Sequence, residues 1–341
     1  MALRKVVIIT GARTLLSDEE WQKLGAEPTA TLCRTEEEVI AAAYDADAII
    51  THSIPVYIPV TRKVIEKLEK CRLIHDTGTG YEGIDVQAAT DCGICVSNIA
   101  DYAAEEVAEH TMTLLLACGR KIARLDRAVR AGKWTATGRA EFYRFLPPMF
   151  RITGQTLGII GLGAIGQLVV PKAKGFGMRV IAFDPYLSEE KFKELGVESV
   201  SMDELLAESD FVSLNSPLTE ETRNLISTGQ LKKMKPTAYL INCSRGEVLD
   251  TEALIAALED NVIAGAGLDV IPGETMELDH PLLKFENVTF TPHTAYFSAH
   301  VDPERRRRTI MQLQQAFNGE LPTYLINRDV KEKYLKRWAK G

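Results

Sequence analysis

"TLGIIGLGAIG", residues 156–166, is an apolar run that stops on a glycine and continues in a helical pattern. A strand that is nearly all apolar is buried on both faces, as in parallel sheets covered by helices. Gly161, Gly163 and Gly166 form G-x-G-x-x-G between that strand and the helix. Alone the motif is weak, but strand, glycine turn and helix together are the context a dinucleotide site requires. The first glycine permits a tight turn, the second lets backbone approach a pyrophosphate, and the third lets helix pack against strand. The helix N-terminus then faces the phosphate charge. The next strand, "RVIAFD" (179–184), ends at Asp184. A carboxylate there accepts ribose hydroxyls and repels a 2′-phosphate, so the expected cofactor is NAD rather than NADP.

Outward from this stretch, strands and helices alternate, which argues for parallel α/β sheets. Strands are expected at 5–10, 47–50, 72–75 and 93–98, with helical stretches at 35–44 and 62–70 between them. A second series follows at 157–161, 179–183, 211–215, 238–243, 264–270 and 288–291. Between the two series, a long helical pattern runs from Asp101, a plausible N-cap, to Arg130, with Gly132 as its stop. "FYRFLPPMF" (142–150) reads as a packed connecting loop. Near residue 300 the pattern returns to helix, "PERRRRTIMQLQQAFNG" (303–319), and then to a polar tail.

With 341 residues the chain is too long for one ordinary core and suits two domains. A net charge of −7 gives no broad affinity for nucleic acid. The dense basic run at 304–309 reads as a solvated or subunit-facing helix surface. No apolar run reaches the roughly 18 residues of a membrane helix, and the start is too strand-like for a signal peptide. The expected location is the cytoplasm. Six cysteines are scattered; Cys92 and Cys95 form a CxxC with no second pair nearby, so ordinary buried thiols and no metal site are expected.

Three further segments end strands of the second series: "LINCSRGEVLD" with Arg245, "GLDVIPGETM" with Asp269 and Glu274, and "VTFTPHTAYFS" with His293. In open α/β sheets ligands bind beyond the carboxyl ends of the strands, where these residues fall. A lone arginine there is usually a surface or capping residue, a lone glutamate solvated, a lone histidine structural. Their joint occurrence at the rim of a dinucleotide fold points to chemistry instead.

"GLGAIG", "NCSRGEVLDTEAL", "GLDV…E" and "TPHTA", in that order, resemble the D-isomer-specific 2-hydroxyacid dehydrogenase family. "GTGYEGID" (78–85) and "VAEHTMTLLLACGR" (107–120) extend the resemblance over nearly the whole chain. "FDPYL" (183–187) and "TPHTAYFS" (291–298) look like the branch containing the C-terminal-binding-protein corepressors. The resemblance implies two Rossmann-like or flavodoxin-like α/β domains with parallel sheets and an active-site cleft between them. Residues 1–104 with 297–341 would form the substrate-binding domain, and 105–296 the NAD-binding domain. A 2-oxoacid needs its carbonyl polarised, its carboxylate held and a proton supplied as hydride arrives. Arg245 would bind carboxylate and carbonyl with its planar donor fork. His293 would be the acid/base, its tautomer fixed by Glu274. Asp269 would orient the nicotinamide carboxamide. Gly161, Gly163, Ala164, Ile165, Gly166, Asp184, Ser216, Pro217, Cys243, Ser244, Arg245, Asp269 and His293 would line the cofactor. Thr79 and Gly80 would hold the substrate together with Arg245 and His293. These enzymes are commonly homodimers. The other reading is an NAD-gated, corepressor-like binding protein.

The chain also departs from the pattern. Thr275 follows Glu274 where the family prefers proline, and Ala100 stands where Asn-x-Pro would end. Asp76 stands where the corepressor branch has a substrate-holding arginine. It either repels a second acidic group on the substrate or caps the glycine loop. Tyr57, Tyr81 and Tyr296 are candidates to line the substrate pocket or merely to pack.

Overall fold

The computed structural model describes residues 3–11, 16–52, 59–135, 143 and 146–338. The chain divides into two units: Met1–Tyr102 with Ser298–Gly341, and Ala103–Phe297.

The first unit holds a parallel sheet of β1 (Arg4–Ile8), β2 (Ala26–Ala30), β3 (Ala48–Thr51), β4 (Leu73–Asp76) and β5 (Cys95–Ser97). The strand order is β2-β1-β3-β4-β5, as in flavodoxin-like sheets. Alternation in β1 divides the core. Val7 joins Val39, Ile49, Val64 and Ala88 on one face. Val6 and Ile8 join Trp21, Leu313, Phe317 and Tyr334 on the other. The second face is therefore closed by the C-terminal helices Val301–Asn318 and Lys331–Trp338. The expected polar tail is in fact this last helix. It buries Tyr334 and lays Trp338 under the Arg72 guanidinium, 4.2 Å from the ring centroid. Nor is the basic run merely solvated. Arg305 Nε donates to the Thr77 carbonyl at 3.1 Å, and Arg308 donates to that of Ala100.

The second unit holds β6 (Thr156–Ile160), β7 (Arg179–Phe183), β8 (Glu198–Ser199), β9 (Phe211–Leu214), β10 (Tyr239–Asn242), β11 (Gly265–Leu268) and β12 (Val288–Phe290). The order is β12-β11-β10-β9-β6-β7-β8, all parallel. Strand order reverses between β6 and β9, the switch point where Rossmann-type sheets open a crevice. Leu157 and Ile159 pack with the helix Ala104–Gly119 on one face, and Ile160, Val212 and Leu240 with Leu254 and Leu258 on the other.

The long helix expected from Asp101 to Arg130 is two helices, Ala104–Gly119 and Ile122–Arg130. Between them Lys121 takes φ 54°, a left-handed conformation no helix continues through. Gly119 is where the first helix approaches the sheet: a Cβ there would meet Phe211 Cζ at 2.8 Å. Asp101, the expected N-cap, also has positive φ, and Ala103 takes the cap position without a side-chain hydrogen bond. The expected helix at 62–70 is regular only over Arg62–Ile65. Two edge strands, β2 and β8, were not anticipated. β2 reads "AEPTA", with Pro28 and little apolar content, and β8 has two residues. Part of the 142–150 loop and Tyr57 lie outside the described residues.

All six cysteines are free thiols, and only Cys92 is partly exposed. Among the described residues no His/Cys/Asp/Glu group could hold a metal ion. No helix among them is long and apolar enough to cross a membrane.

Candidate active site

The glycine turn after β6 has the tight turn expected at Gly161 and the close packing expected at Gly166. Gly161 has φ 89°, and a Cβ there would meet Asn215 C and Ser216 N at 2.8 Å, so the turn lies on the backbone leaving β9. Gly166 has the Gly161 carbonyl oxygen 2.4 Å from its would-be Cβ. A Cβ on Gly163 would meet nothing within 4 Å, leaving open space at the N-terminus of the helix Ala164–Gly175. Ala164 is exposed and Ile165 half-buried beside it. Asp184, leaving β7, accepts from Leu162 N at 2.8 Å through Oδ2 and from Tyr186 N at 3.0 Å through Oδ1. It therefore helps hold the turn as well as standing at its rim.

Ser216 is buried, yet its Oγ has no hydrogen-bond partner. An orphaned hydroxyl beside Gly161 is costly unless something supplies a partner. Together with the open flank of Gly163, it suits a bound dinucleotide. Pro217 follows, exposed. Cys243 belongs to an apolar cluster with Cys118, and burial pushes its thiol up to about 12, so the side chain packs rather than titrates.

His293 and Glu274 come together. His293 Nδ1 lies 2.7 Å from Glu274 Oε2, and their side chains are 14 % and 9 % exposed. Both have left-handed backbones, φ 50° and φ 58°. Such conformations cost non-glycine residues about 1–3 kcal/mol and gather at functional sites. A proline at 275 would press Glu274 toward extended backbone; Thr275 leaves it free to turn. The ring of Tyr296 stands edge-on to His293, centroids 6.3 Å apart.

Asp269 has a structural part that the sequence did not show. Its side chain is 0 % exposed. Its oxygens accept from Thr291 Oγ1, from Thr294 N at 3.0 Å and from Ala295 N at 3.1 Å. Its carbonyl accepts from His293 N at 2.7 Å. In this structure the carboxylate holds the turn that carries His293.

Arg245 leaves β10 half-buried, and its Nη1 donates to the Ser244 carbonyl at 2.9 Å. Asn242, fully buried, sets this turn. Its Oδ1 accepts from Ser244 N and Oγ, and its Nδ2 donates to the Arg245 carbonyl at 2.9 Å. Gly246 then lets the turn touch the loop leading to Glu274. A Cβ there would sit 2.1 Å from Ile271 C. Asn242 was not singled out from sequence; an amide ending an apolar strand was the available signal.

In the first unit, Asp76 is 1 % exposed, and its Oδ1 accepts from Gly78 N at 2.7 Å. Of the two readings of Asp76, this is the loop cap. Thr79 is exposed and Gly80 buried; the Thr79 carbonyl accepts from Asn98 Nδ2 at 2.6 Å. Tyr81 is exposed. Arg305, from the C-terminal helix, anchors the same loop at Thr77, a contact invisible to local sequence patterns.

A cavity of about 410 Å³ lies elsewhere, lined by Gln155, Phe211, Tyr239, Ala264 and Asn287. These residues stand at the amino ends of β6, β9, β10, β11 and β12, opposite the glycine turn and His293. None of the site residues lines it.

Comparison with known proteins gives the family of the chain. Residues 112–295 match the family model "D-isomer specific 2-hydroxyacid dehydrogenase, NAD binding domain". Over 297 residues the chain is 41 % identical to glyoxylate reductase of Korarchaeum cryptofilum, covering 87 % of each. It is 39 % identical to D-3-phosphoglycerate dehydrogenase of Methanocaldococcus jannaschii, with 86 % of this chain aligned to 54 % of that one. A glyoxylate reductase structure from Paecilomyes thermophila superposes with a TM-score of 0.82 at 28 % identity, covering 96 % of this chain and 99 % of the other. The chain belongs to the D-isomer specific 2-hydroxyacid dehydrogenase family, and is an NAD-dependent oxidoreductase acting on CH–OH groups.

Proposed function

We propose that the protein reduces a small 2-oxoacid to the D-2-hydroxyacid, reversibly, with His293 as proton donor and acceptor. The observation that carries this is the buried His293–Glu274 pair, 2.7 Å apart on left-handed backbone. NADH, when bound, supplies the hydride. Gly161, Gly163, Ala164, Ile165 and Gly166 would hold its pyrophosphate, Asp184 its ribose, and Ser216, with Pro217, Cys243 and Ser244, the remaining wall. Glu274 accepts from Nδ1–H, so Nε2 faces the reacting oxygen and delivers its proton there in reduction. Arg245 offers a planar donor pair to the substrate carboxylate and carbonyl. Residues 1–104 with 297–341 would be the substrate-binding domain, presenting backbone N–H groups of the Thr79–Gly80 loop. Residues 105–296 would be the NAD-binding domain. A cytoplasmic homodimer is the form we infer.

The similarity to glyoxylate reductases favours glyoxylate and acids little larger. The test is a panel of glyoxylate, hydroxypyruvate and oxaloacetate, each with NADH and with NADPH, followed by nicotinamide absorbance. Turnover of a small 2-oxoacid with a clear NADH preference is expected. Equal rates with NADPH would remove the ribose role of Asp184. NADH binding without turnover of any acid would favour the corepressor-like reading of "FDPYL" and "TPHTAYFS".

A further inference from the structure

The turn that carries His293 is tied to the helix Ala104–Gly119 by a chain of side chains whose donor directions are fixed. Asp269 takes the Thr294 N–H on Oδ1 and the Ala295 N–H on Oδ2, so its carboxylate stands as an acceptor. Thr291 Oγ1 therefore donates its single proton to Asp269 Oδ1. His110 Nε2 lies 2.8 Å from the same Thr291 oxygen, which has only a lone pair left to offer. His110 must then donate, and Nε2 carries its proton. The same nitrogen is 3.6 Å from Asp269 Oδ1, so it also faces the carboxylate.

What this chain holds is unusual backbone. Asp269 gathers Thr291, His293, Thr294 and Ala295 around itself, through the two carboxylate oxygens and the carbonyl. The residue at the centre, His293, has φ 50°. A strained conformation persists only where its surroundings over-determine it. Asp269 is fully buried, whereas the His110 side chain is 21 % exposed. His110 is thus the outer end of the chain, on a different element from everything it holds.

We propose that His110 is a positioning residue of the dehydrogenase reaction: through Thr291 and Asp269 it fixes the left-handed turn that aims His293. The proposal rests on His293 being the proton donor. His110 itself touches neither substrate nor cofactor in it. Relaxing the turn would swing the imidazole away from its bond with Glu274 and from the reacting oxygen. A misplacement of about 1 Å at such a site can cost 10²-fold in rate.

The experiment compares His110→Leu, which removes the donor, with His110→Gln, which keeps an N–H at similar reach. Thr291→Val and Thr291→Ser form a second pair that breaks and keeps the middle link. Two readouts are taken: steady-state kinetics with glyoxylate, and the proton resonance of the His293 Nδ1–H bonded to Glu274, assigned by its loss in His293→Asn. NADH affinity is measured alongside. His110→Leu and Thr291→Val are expected to lower kcat by roughly 10- to 100-fold, with KM and NADH affinity held and the resonance shifted or broadened. His110→Gln and Thr291→Ser should restore both readouts. Unchanged kcat and resonance in the Leu and Val variants would overturn the proposal, as would Gln and Ser variants no better than them. Weakened NADH binding in step with the rate would also overturn it, pointing to general damage of the fold. If the unaltered enzyme turns over no 2-oxoacid, the proposed function fails separately, and the resonance alone decides whether His110 positions the turn.

Discussion

His293 and Glu274 meet in conformations that their own side chains resist, and each is held there by neighbours. Glu274 follows Gly273 at φ 75° and donates its N–H to the Ile271 carbonyl at 3.2 Å. His293 is held through Asp269. The pair therefore has little freedom to drift apart, and the carboxylate's charge is applied to one imidazole nitrogen. Glu274→Gln keeps a carbonyl acceptor for Nδ1–H but removes the charge. It should lower kcat about 10- to 100-fold with KM for the acid little changed, less than loss of the histidine itself. Unaltered kcat in steady-state assays would mean that Glu274 serves only the loop.

At the scale of elements, the site is a set of turns leaving the carboxyl ends of parallel strands, brought together by glycines that allow backbone to touch backbone. Gly246→Ala tests this. Its new Cβ would stand 2.1 Å from Ile271 C, and backbone on both sides leaves little room to yield. A loss of roughly 1–3 kcal/mol is expected, seen as a lower Tm, with kcat reduced because the Arg245 and Glu274 loops separate. An unshifted melting curve would contradict the close approach. The apolar strands, the glycine turn and the Arg245, Glu274 and His293 segments were legible in sequence because burial and turn chemistry are local properties. What was not legible depends on tertiary partners. The helix breaks at Lys121 in a left-handed conformation, two residues after Gly119 meets Phe211, and no local residue signal marks it. β2 forms from "AEPTA" because β1 offers it an edge. The last helix forms from a polar stretch because Tyr334 and Trp338 find the first unit's core and Arg72. The hold that Asp269 keeps on the His293 turn was not legible either. The backbone donors that occupy the carboxylate belong to a turn some 25 residues on.

For the whole molecule, two parallel sheets bury polar groups as well as apolar ones, and one of these sets an acid limit. His75 in β4 is fully buried between Ser97 Oγ at 2.8 Å and Thr309 Oγ1 at 3.1 Å, joining the sheet to the C-terminal helix. Burial lowers its pKa from 6.5 to about 3. Between those values the unfolded chain binds a proton that the folded chain refuses. The stability contributed by neutral His75 is complete above about pH 6.5 and is lost progressively as pH falls toward 3, on the order of a few kcal/mol. Denaturation midpoints measured across this range should fall less steeply for His75→Gln than for the unaltered chain; parallel curves would contradict the assignment. The central claim concerns His293, and its most direct test is kcat and NADH affinity in His293→Asn against the unaltered enzyme, with glyoxylate as substrate. Asparagine tolerates left-handed backbone, so the turn is kept while the acid/base is removed. The predicted result is a fall in kcat of roughly 10²- to 10⁴-fold with NADH affinity retained. Retained kcat would contradict the account.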